Sequence, residues 1–296
     1  MRFVHAVCSA LVITLLLVAS PVSAQKPTVT VGSKAFTEQL LVGQMLMLLL
    51  EDAGFKVNNK IGLGGTALVH QALVSGEVDV YVEYTGTGLI TILKEPVQED
   101  PGKVFDTVQR LYKERFKATW LKPWGFNNTY ALVIRKEDAD RLRATKISDL
   151  APSASAMIFG ATQEFVVRPD GLPGLAKHYG GLTFKESKSM APDLIYDALK
   201  NKQVDVISGF ATEGRIPANN FVVLEDDKKY FPPYFAAPVV REELLNKAPE
   251  VAEVLDRPAG KVDDGTMARL NYEVAGKKRS PEEVAREFLK AKGWIK

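Results

Sequence analysis

GEVDVYVEYTGTG, residues 76–88, contains an alternation that decides the fold. Val78, Val80 and Val82 recur with period two, as on a strand with buried side chains on one face. The run stops at Tyr84, and the small residues Thr85, Gly86 and Thr87 follow it. The unit returns 126 residues later, counted from Ala72 to Ala198. Ala72-Leu73 precede Val78-Asp79-Val80, and Ala198-Leu199 precede Val204-Asp205-Val206 at the same spacing. That offset sets Tyr84 on Phe210. Upstream, TVTVGSKAF has a looser counterpart in AMIFGATQEF, where Gly160 answers Gly32. Each half thus holds a helix, a tight turn, a strand and an aromatic just past the strand end. Two similar lobes predict a cleft protein, because open α/β sheets bind ligands outside the carboxyl ends of their strands. Tyr84 and Phe210 are expected to face each other across that cleft.

The neighbouring segments extend the pattern. Thr28 to Val31 alternates as a strand, Thr37 is placed to cap a helix, and Gly54 to end it. A second strand, a glycine loop and a short helix ending near Gly76 come next. Strands alternating with helices predict an α/β protein with largely parallel sheets. Near the chain's end, Ser280, Pro281 and Glu283 fit an N-cap, a first helical position and a capping box.

Residues 1–24 read as an export signal. Arg2 supplies the positive start, Ala10 to Ala19 is almost wholly apolar, and Val22-Ser23-Ala24 has the small-residue pattern of a cleavage site. The apolar run falls short of the ~20 residues of a membrane span. Cys8, the one cysteine, lies ahead of that run rather than at its end, which argues against a lipid anchor. Cleavage after Ala24 leaves no cysteine and so no disulfide, in a chain long enough to bury its core without one. The remaining charge is close to balanced, which gives no reason to expect nucleic acid or a charged membrane surface as partner. A periplasmic, monomeric, soluble protein is expected.

Motifs for catalysis are sparse. Gly62-Leu63-Gly64-Gly65-Thr66-Ala67 matches a dinucleotide fingerprint, with Glu83 where a ribose-binding acid would sit. The short helix after it and the scarcity of nicotinamide cofactors outside the cell favour a plain glycine turn that starts a helix. His70 and His178 fall on different lobes without metal spacing. No G-x-S-x-G elbow is present. No enzyme, cofactor or metal is therefore expected. Aromatics do recur where loops meet strands, and Tyr84, Tyr130 and Tyr234 lie in polar or glycine- and proline-rich surroundings. Several ring faces around one cleft suit a quaternary ammonium, which has no N–H to donate; each face contributes about 0.5–2 kcal/mol. Lys34 and Arg168, with a hydroxyl from Thr87, are candidates to hold a carboxylate at the ligand's other end.

With these residues in hand, the chain resembles the substrate-binding proteins of osmoprotectant ABC importers, which capture glycine betaine, choline, carnitine and related compounds. The resemblance rests on VGSKAFTEQ, LGGTALVHQAL, GEVDVYVEYTGTG, GFNNTYAL, EFVVRPDG and APVVREELL, in order over nearly all of the chain past residue 24. It implies a two-lobed type II periplasmic-binding-protein fold, with residues 25–127 plus 235–296 as one lobe and 128–234 as the other. Hinges are expected near Asn127–Val133 and Val223–Tyr234. It also implies an aromatic box on Tyr84, Tyr130, Phe210 and Tyr234, and a carboxylate clamp on Lys34, Thr87 and Arg168. The partners it implies are a membrane permease and its ATPase. Phe210 stands where relatives often have tyrosine, and Asn128 where some have an acid; both departures weaken the expected hold on a cation. Glu164 and Glu213 leave room for a ligand with an extra donor, such as ergothioneine. An amino acid, or another ligand without a quaternary nitrogen, is the remaining alternative for a binding protein.

Overall fold

A computed structural model describes residues 26–296, so the expected export signal and Cys8 lie outside the described residues. The strands are β1 (Thr28–Lys34), β2 (Lys56–Gly64), β3 (Val80–Tyr84), β4 (Ala118–Trp120), β5 (Tyr130–Arg135), β6 (Ile158–Ala161), β7 (Glu186–Ser189), β8 (Val206–Phe210), β9 (Phe221–Val223) and β10 (Ala236–Arg241). They form two five-stranded sheets, ordered β2-β1-β3-β10-β4 and β7-β6-β8-β5-β9. In the first, β1 runs parallel to β2 and β3, while β10 runs antiparallel to β3 and β4. The second repeats this position for position, with β6 parallel to β7 and β8 and β5 antiparallel to β8 and β9. The expectation of largely parallel sheets therefore holds for only half of the pairings. In each sheet the antiparallel partner arrives from the other half of the chain.

The sequence echo has a physical cause. A Cβ on Gly32 would lie 2.8 Å from a methyl of Val78, and one on Gly160 would lie 3.1 Å from a methyl of Val204. The paired glycines let a branched side chain close down on the neighbouring strand. The aspartate between the valines then clips the strand start. Thr30 N–H donates to Asp79 Oδ2 at 2.8 Å, and Ile158 N–H donates to Asp205 Oδ2 at 2.9 Å. Arg241, ending β10, reaches Asp79 at 3.3 Å, and Arg135, ending β5, reaches Asp205 at 3.0 Å.

Helices cover both faces of the first sheet. On one side, helix α1 (Thr37–Asp52) buries Leu41, Met45 and Leu46 with Val284 and Leu289 of the helix Pro281–Ala291. On the other, α2 (Thr66–Ser75) and α3 (Pro101–Phe116) pack Val69, Leu73, Val108 and Tyr112 around Trp120. The second lobe fills its core around Phe159 and Phe165, and around Tyr196 and Ile207 on the opposite face.

Two capping assignments need correction. Thr37 is the first helical residue rather than the cap, and its hydroxyl donates across the cleft to Asp193 at 2.8 Å. Ser280 occupies the cap position of the last helix but makes no side-chain cap bond, and Glu283 accepts from Arg279 instead. Gly54 and Gly76 do follow their helices in left-handed conformation, at φ 84° and 81°.

The chain passes between sheets twice, within residues 121–129 and 224–235. These passages run side by side. Asn127 bridges Phe235, Asn128 N–H donates to Tyr234 O at 3.1 Å, and Tyr234 N–H donates to Asn127 Oδ1 at 2.7 Å. Val133, expected in the hinge, is instead paired on both sides within β5, with Ile207 and Val223. No helix among the described residues is long and apolar enough to cross a membrane.

The arginine clips differ in burial, so they should differ in strength. Arg135 also bonds the carbonyls of Leu199 and Val204 and pairs with buried Asp138 at 2.6 Å. Arg135→Met strands all of these and should cost about 3–5 kcal/mol in urea unfolding. Arg241→Met, at a pair whose side chains are 25% and 19% exposed, should cost about 1 kcal/mol. Equal losses would mean that burial does not set the difference.

Candidate functional site

Between the carboxyl ends of the two sheets lies a cavity of about 500 Å³. All eight side chains singled out from sequence line it: Lys34, Tyr84, Thr87, Asn128, Tyr130, Arg168, Phe210 and Tyr234. Lys34, Tyr84 and Phe210 end β1, β3 and β8, and Tyr130 begins β5. Thr87 opens a π-helical turn, Thr87–Ile92, that continues directly from β3. Asn128 and Tyr234 sit on the two crossing segments, and Arg168 follows the short helix Gln163–Val167.

The rings form a continuous run, but Tyr84 and Phe210 do not face each other directly. Phe36 stands between them, stacked on Phe210 at 5.7 Å and 6° and on Tyr84 at 6.4 Å and 25°. Phe210 then meets Tyr130 at 5.3 Å, and Tyr130 meets Tyr234 edge-on at 5.4 Å. Phe36 belongs to the site and was missed in the sequence, although it sits in the KAF of the first strand's motif. Tyr130 also carries Phe165 on its outer side at 4.7 Å.

Gly86 explains why TGTG follows the strand. A Cβ there would fall 2.8 Å from the Tyr234 ring and from the Pro233 carbonyl. Absence of a side chain is what allows the returning crossing segment to bring Tyr234 against the end of β3. Thr85 fastens the same contact, since its hydroxyl donates to Pro233 O and accepts from Phe235 N–H, both at 3.0 Å.

The polar groups are more fully paired than the sequence suggests. Lys34 Nζ meets Glu83 at 2.6 Å, with both side chains buried. Arg168 binds Asp170 through Nε at 2.8 Å and Nη2 at 2.5 Å, and its Nη2 donates to Thr87 of the other lobe at 3.4 Å. Tyr234 hydroxyl donates to the same Asp170 at 2.6 Å. Lys34 and Arg168 also stand over the rings of Tyr84 and Tyr130, at 5.2 and 5.5 Å. Both candidate clamps therefore act as members of ion pairs, which leaves only their remaining donors for a ligand.

Beneath the rings, Glu38 of α1 accepts four hydrogen bonds. Tyr84 hydroxyl and Asn128 Nδ2 donate to Oε1, each at 2.7 Å. Thr212 hydroxyl and Asn271 Nδ2 donate to Oε2 at 2.5 and 2.8 Å. These donors come from the first sheet, a crossing segment, the second lobe and the helix Asp264–Ala275. Burial raises the Glu38 carboxyl above its ordinary range, against the lowering effect of the four donors. Burial, followed by the nearby Glu38 charge, pushes the Tyr84 hydroxyl well up.

Other sequence candidates fall elsewhere. Glu164 lines the cavity, whereas Glu213 is held by Arg215 at 2.8 Å outside it. Gly62 and Gly64 belong to β2, and Glu83 is fully buried under Lys34, Tyr81 and the Tyr84 N–H, so it is not free for a ribose. His70 packs edge-on against Tyr112 and Phe116, where burial, and secondarily Lys34, lowers its pKa to about 4. His178 bonds Lys228 O. Among the described residues no cluster of metal-ligating side chains occurs.

Residues 27–291 match the family model of the substrate binding domain of the ABC-type glycine betaine transport system. The chain is 38% identical over 273 residues to the carnitine transport binding protein OpuCC of Listeria monocytogenes, covering 91% of this chain and 88% of that protein. It is 37% identical to the ergothioneine transport permease/ergothioneine binding protein EgtU of Helicobacter pylori, covering 91% of this chain but 48% of that protein. A crystal structure of a glycine betaine/carnitine/choline ABC transporter superposes with a TM-score of 0.75 at 36% identity, covering 90% of this chain and all of that one.

The tight contact at Gly86 offers a direct check on the site's geometry. Gly86→Ala should lower the unfolding free energy by about 1–3 kcal/mol, as overpacking does. A variant as stable as the wild type would mean that Tyr234 and the Pro233 carbonyl can move away freely.

Proposed function

The chain belongs to the family of substrate-binding domains of ABC-type glycine betaine transport systems, and from that premise we propose that it captures a quaternary-ammonium osmolyte such as glycine betaine or choline in the periplasm. The run of rings from Tyr84 through Phe36, Phe210 and Tyr130 to Tyr234 is the observation that carries this. A quaternary nitrogen is bulky, permanently charged and without N–H donors, so ring faces suit it better than carbonyl oxygens do. Lys34, Thr87 and Arg168 hold the ligand's carboxylate, where there is one, through the donors their ion pairs leave open.

Binding works as a population shift. Residues 25–127 with 235–296 move as one lobe and 128–234 as the other, about the paired crossing segments. A ligand that touches both lobes favours their closed arrangement by its extra contacts there. The closed monomer then delivers the ligand to a membrane permease driven by its ATPase. The protein itself does no chemistry.

A longer ligand is the second reading, and cavity size favours it. At ~30 Å³ per water, 500 Å³ corresponds to about 17 waters, whereas glycine betaine has about eight non-hydrogen atoms. Thr162, Gln163, Glu164 and Ser189 line the cavity as well and offer polar partners to a longer tail. A betaine carrying a donor-bearing ring, as in ergothioneine, would use that space.

Titration calorimetry on ligand-stripped protein with glycine betaine, choline and ergothioneine separates these possibilities. Betaine or choline binding with ergothioneine silent supports the first reading; ergothioneine alone supports the second. If none of the three binds, the quaternary-ammonium assignment fails. Replacing both Tyr84 and Tyr234 with leucine removes two ring faces of about 0.5–2 kcal/mol each, so affinity should fall about fivefold to nearly a thousandfold. Unchanged affinity in that double variant would remove the cage from the mechanism.

A further inference from the structure

Each buried cation of the cleft has its own carboxylate: Lys34 has Glu83, Arg168 has Asp170, and Arg215 has Glu213. Glu38 has no such partner. Its four contacts are all neutral donors, from Tyr84, Asn128, Thr212 and Asn271. The Tyr84 and Thr212 hydroxyls could accept instead, but the amide nitrogens of Asn128 and Asn271 can only donate, one to each oxygen, and these donors favour the carboxylate against the raising effect of burial. The two donors on Oε1, Tyr84 and Asn128, also line the cavity. Asn128 has its amide nitrogen taken by Glu38, while its Oδ1 is buried without a partner among the described residues.

We propose that Glu38 is a specificity-determining residue: from behind Tyr84 and Asn128, its charge makes the cage select a cationic head group over a neutral one of the same shape. This rests on the quaternary-ammonium reading above and adds the source of the selectivity. Two effects contribute. A phenol donating to a carboxylate gains electron density, so the Tyr84 face attracts a cation more strongly. The carboxylate also acts directly, from the hydroxyl end of the Tyr84 ring through low-dielectric protein. For unit charges about 7 Å apart at an effective dielectric of ~20, the attraction is worth about tenfold to fiftyfold in affinity.

The test compares choline with its uncharged analogue, in which a carbon replaces the quaternary nitrogen. Dissociation constants are measured by calorimetry for the wild type, Glu38→Gln and Tyr84→Phe. Glu38→Gln should weaken choline by about tenfold or more and leave the analogue within about twofold. Equal losses for both ligands would reduce Glu38 to a packing role, and an unchanged choline preference would overturn the proposal. If Glu38→Gln does not fold, Tyr84→Phe decides: it keeps the ring and three of the four donors, and should cut the choline preference several-fold. Wild type that binds choline no better than the analogue would sink the cationic-ligand reading itself. A wild-type preference that survives both substitutions would sink only the role of Glu38.

Discussion

A carboxylate taken out of water needs either a cation or several donors, because the desolvation of an unmet charge costs several kcal/mol. The cleft buries Glu38, Glu83, Asp170 and Glu213, and the arrangement around them follows from that requirement. Glu83 fixes Lys34 at the end of the first strand, and Asp170 fixes Arg168 and the Tyr234 hydroxyl together. Glu38 gathers donors from both lobes and from a crossing segment. Ring positions and cation positions within the cleft are thus fixed by protein contacts.

The same pairing qualifies what Lys34 and Arg168 can do. A free lysine and arginine would favour a carboxylate-bearing ligand strongly. An ion pair presents a dipole, with part of its field already cancelled. The cleft is accordingly less hostile to a purely cationic ligand than its two basic residues suggest. Tyr84 and Tyr234 both donate to carboxylates, so the run of rings is richer in negative charge than its ring count alone implies.

Local pattern made the strands, the glycine-ended helices and the two-fold echo legible, because the period of two and the Val-Asp-Val clip leave marks in the sequence. Six of the eight lining residues picked out are aromatic or basic, and only Thr87 and Asn128 are small polar residues. Three things were not legible. Phe36 looks like an ordinary hydrophobic residue at a helix start, and only the meeting of the lobes places it between Tyr84 and Phe210 on the cavity wall. Of the acids beneath the cations, Glu83 lies 49 residues from Lys34 and mimicked a ribose-binding acid, while Asp170 and Glu213 sit two residues from their arginines with nothing in the local pattern to mark the pairing. The antiparallel strands were hidden because β5 and β10 find their partners in the other half of the chain. A signal did exist in the likeness of ALVIR, ending at Arg135, and APVVR, ending at Arg241, since each arginine meets the aspartate of the echo.

That exchange of strands has a consequence for how the molecule is made. Phe235 N–H bonds Thr85, 150 residues earlier, and β10 lies between β3 and β4 in the first sheet. The first lobe lacks an interior strand until the chain has been synthesised past residue 241. An emerging polypeptide can assemble the second lobe, whose strands are contiguous, while the first waits with open edges at β3 and β4. Assembly order is then opposite to chain order: the later-made lobe closes first. The long loop closure that follows makes completion slow relative to local helix formation. Unpaired edges during that interval are where chaperones, or aggregation, have their opportunity.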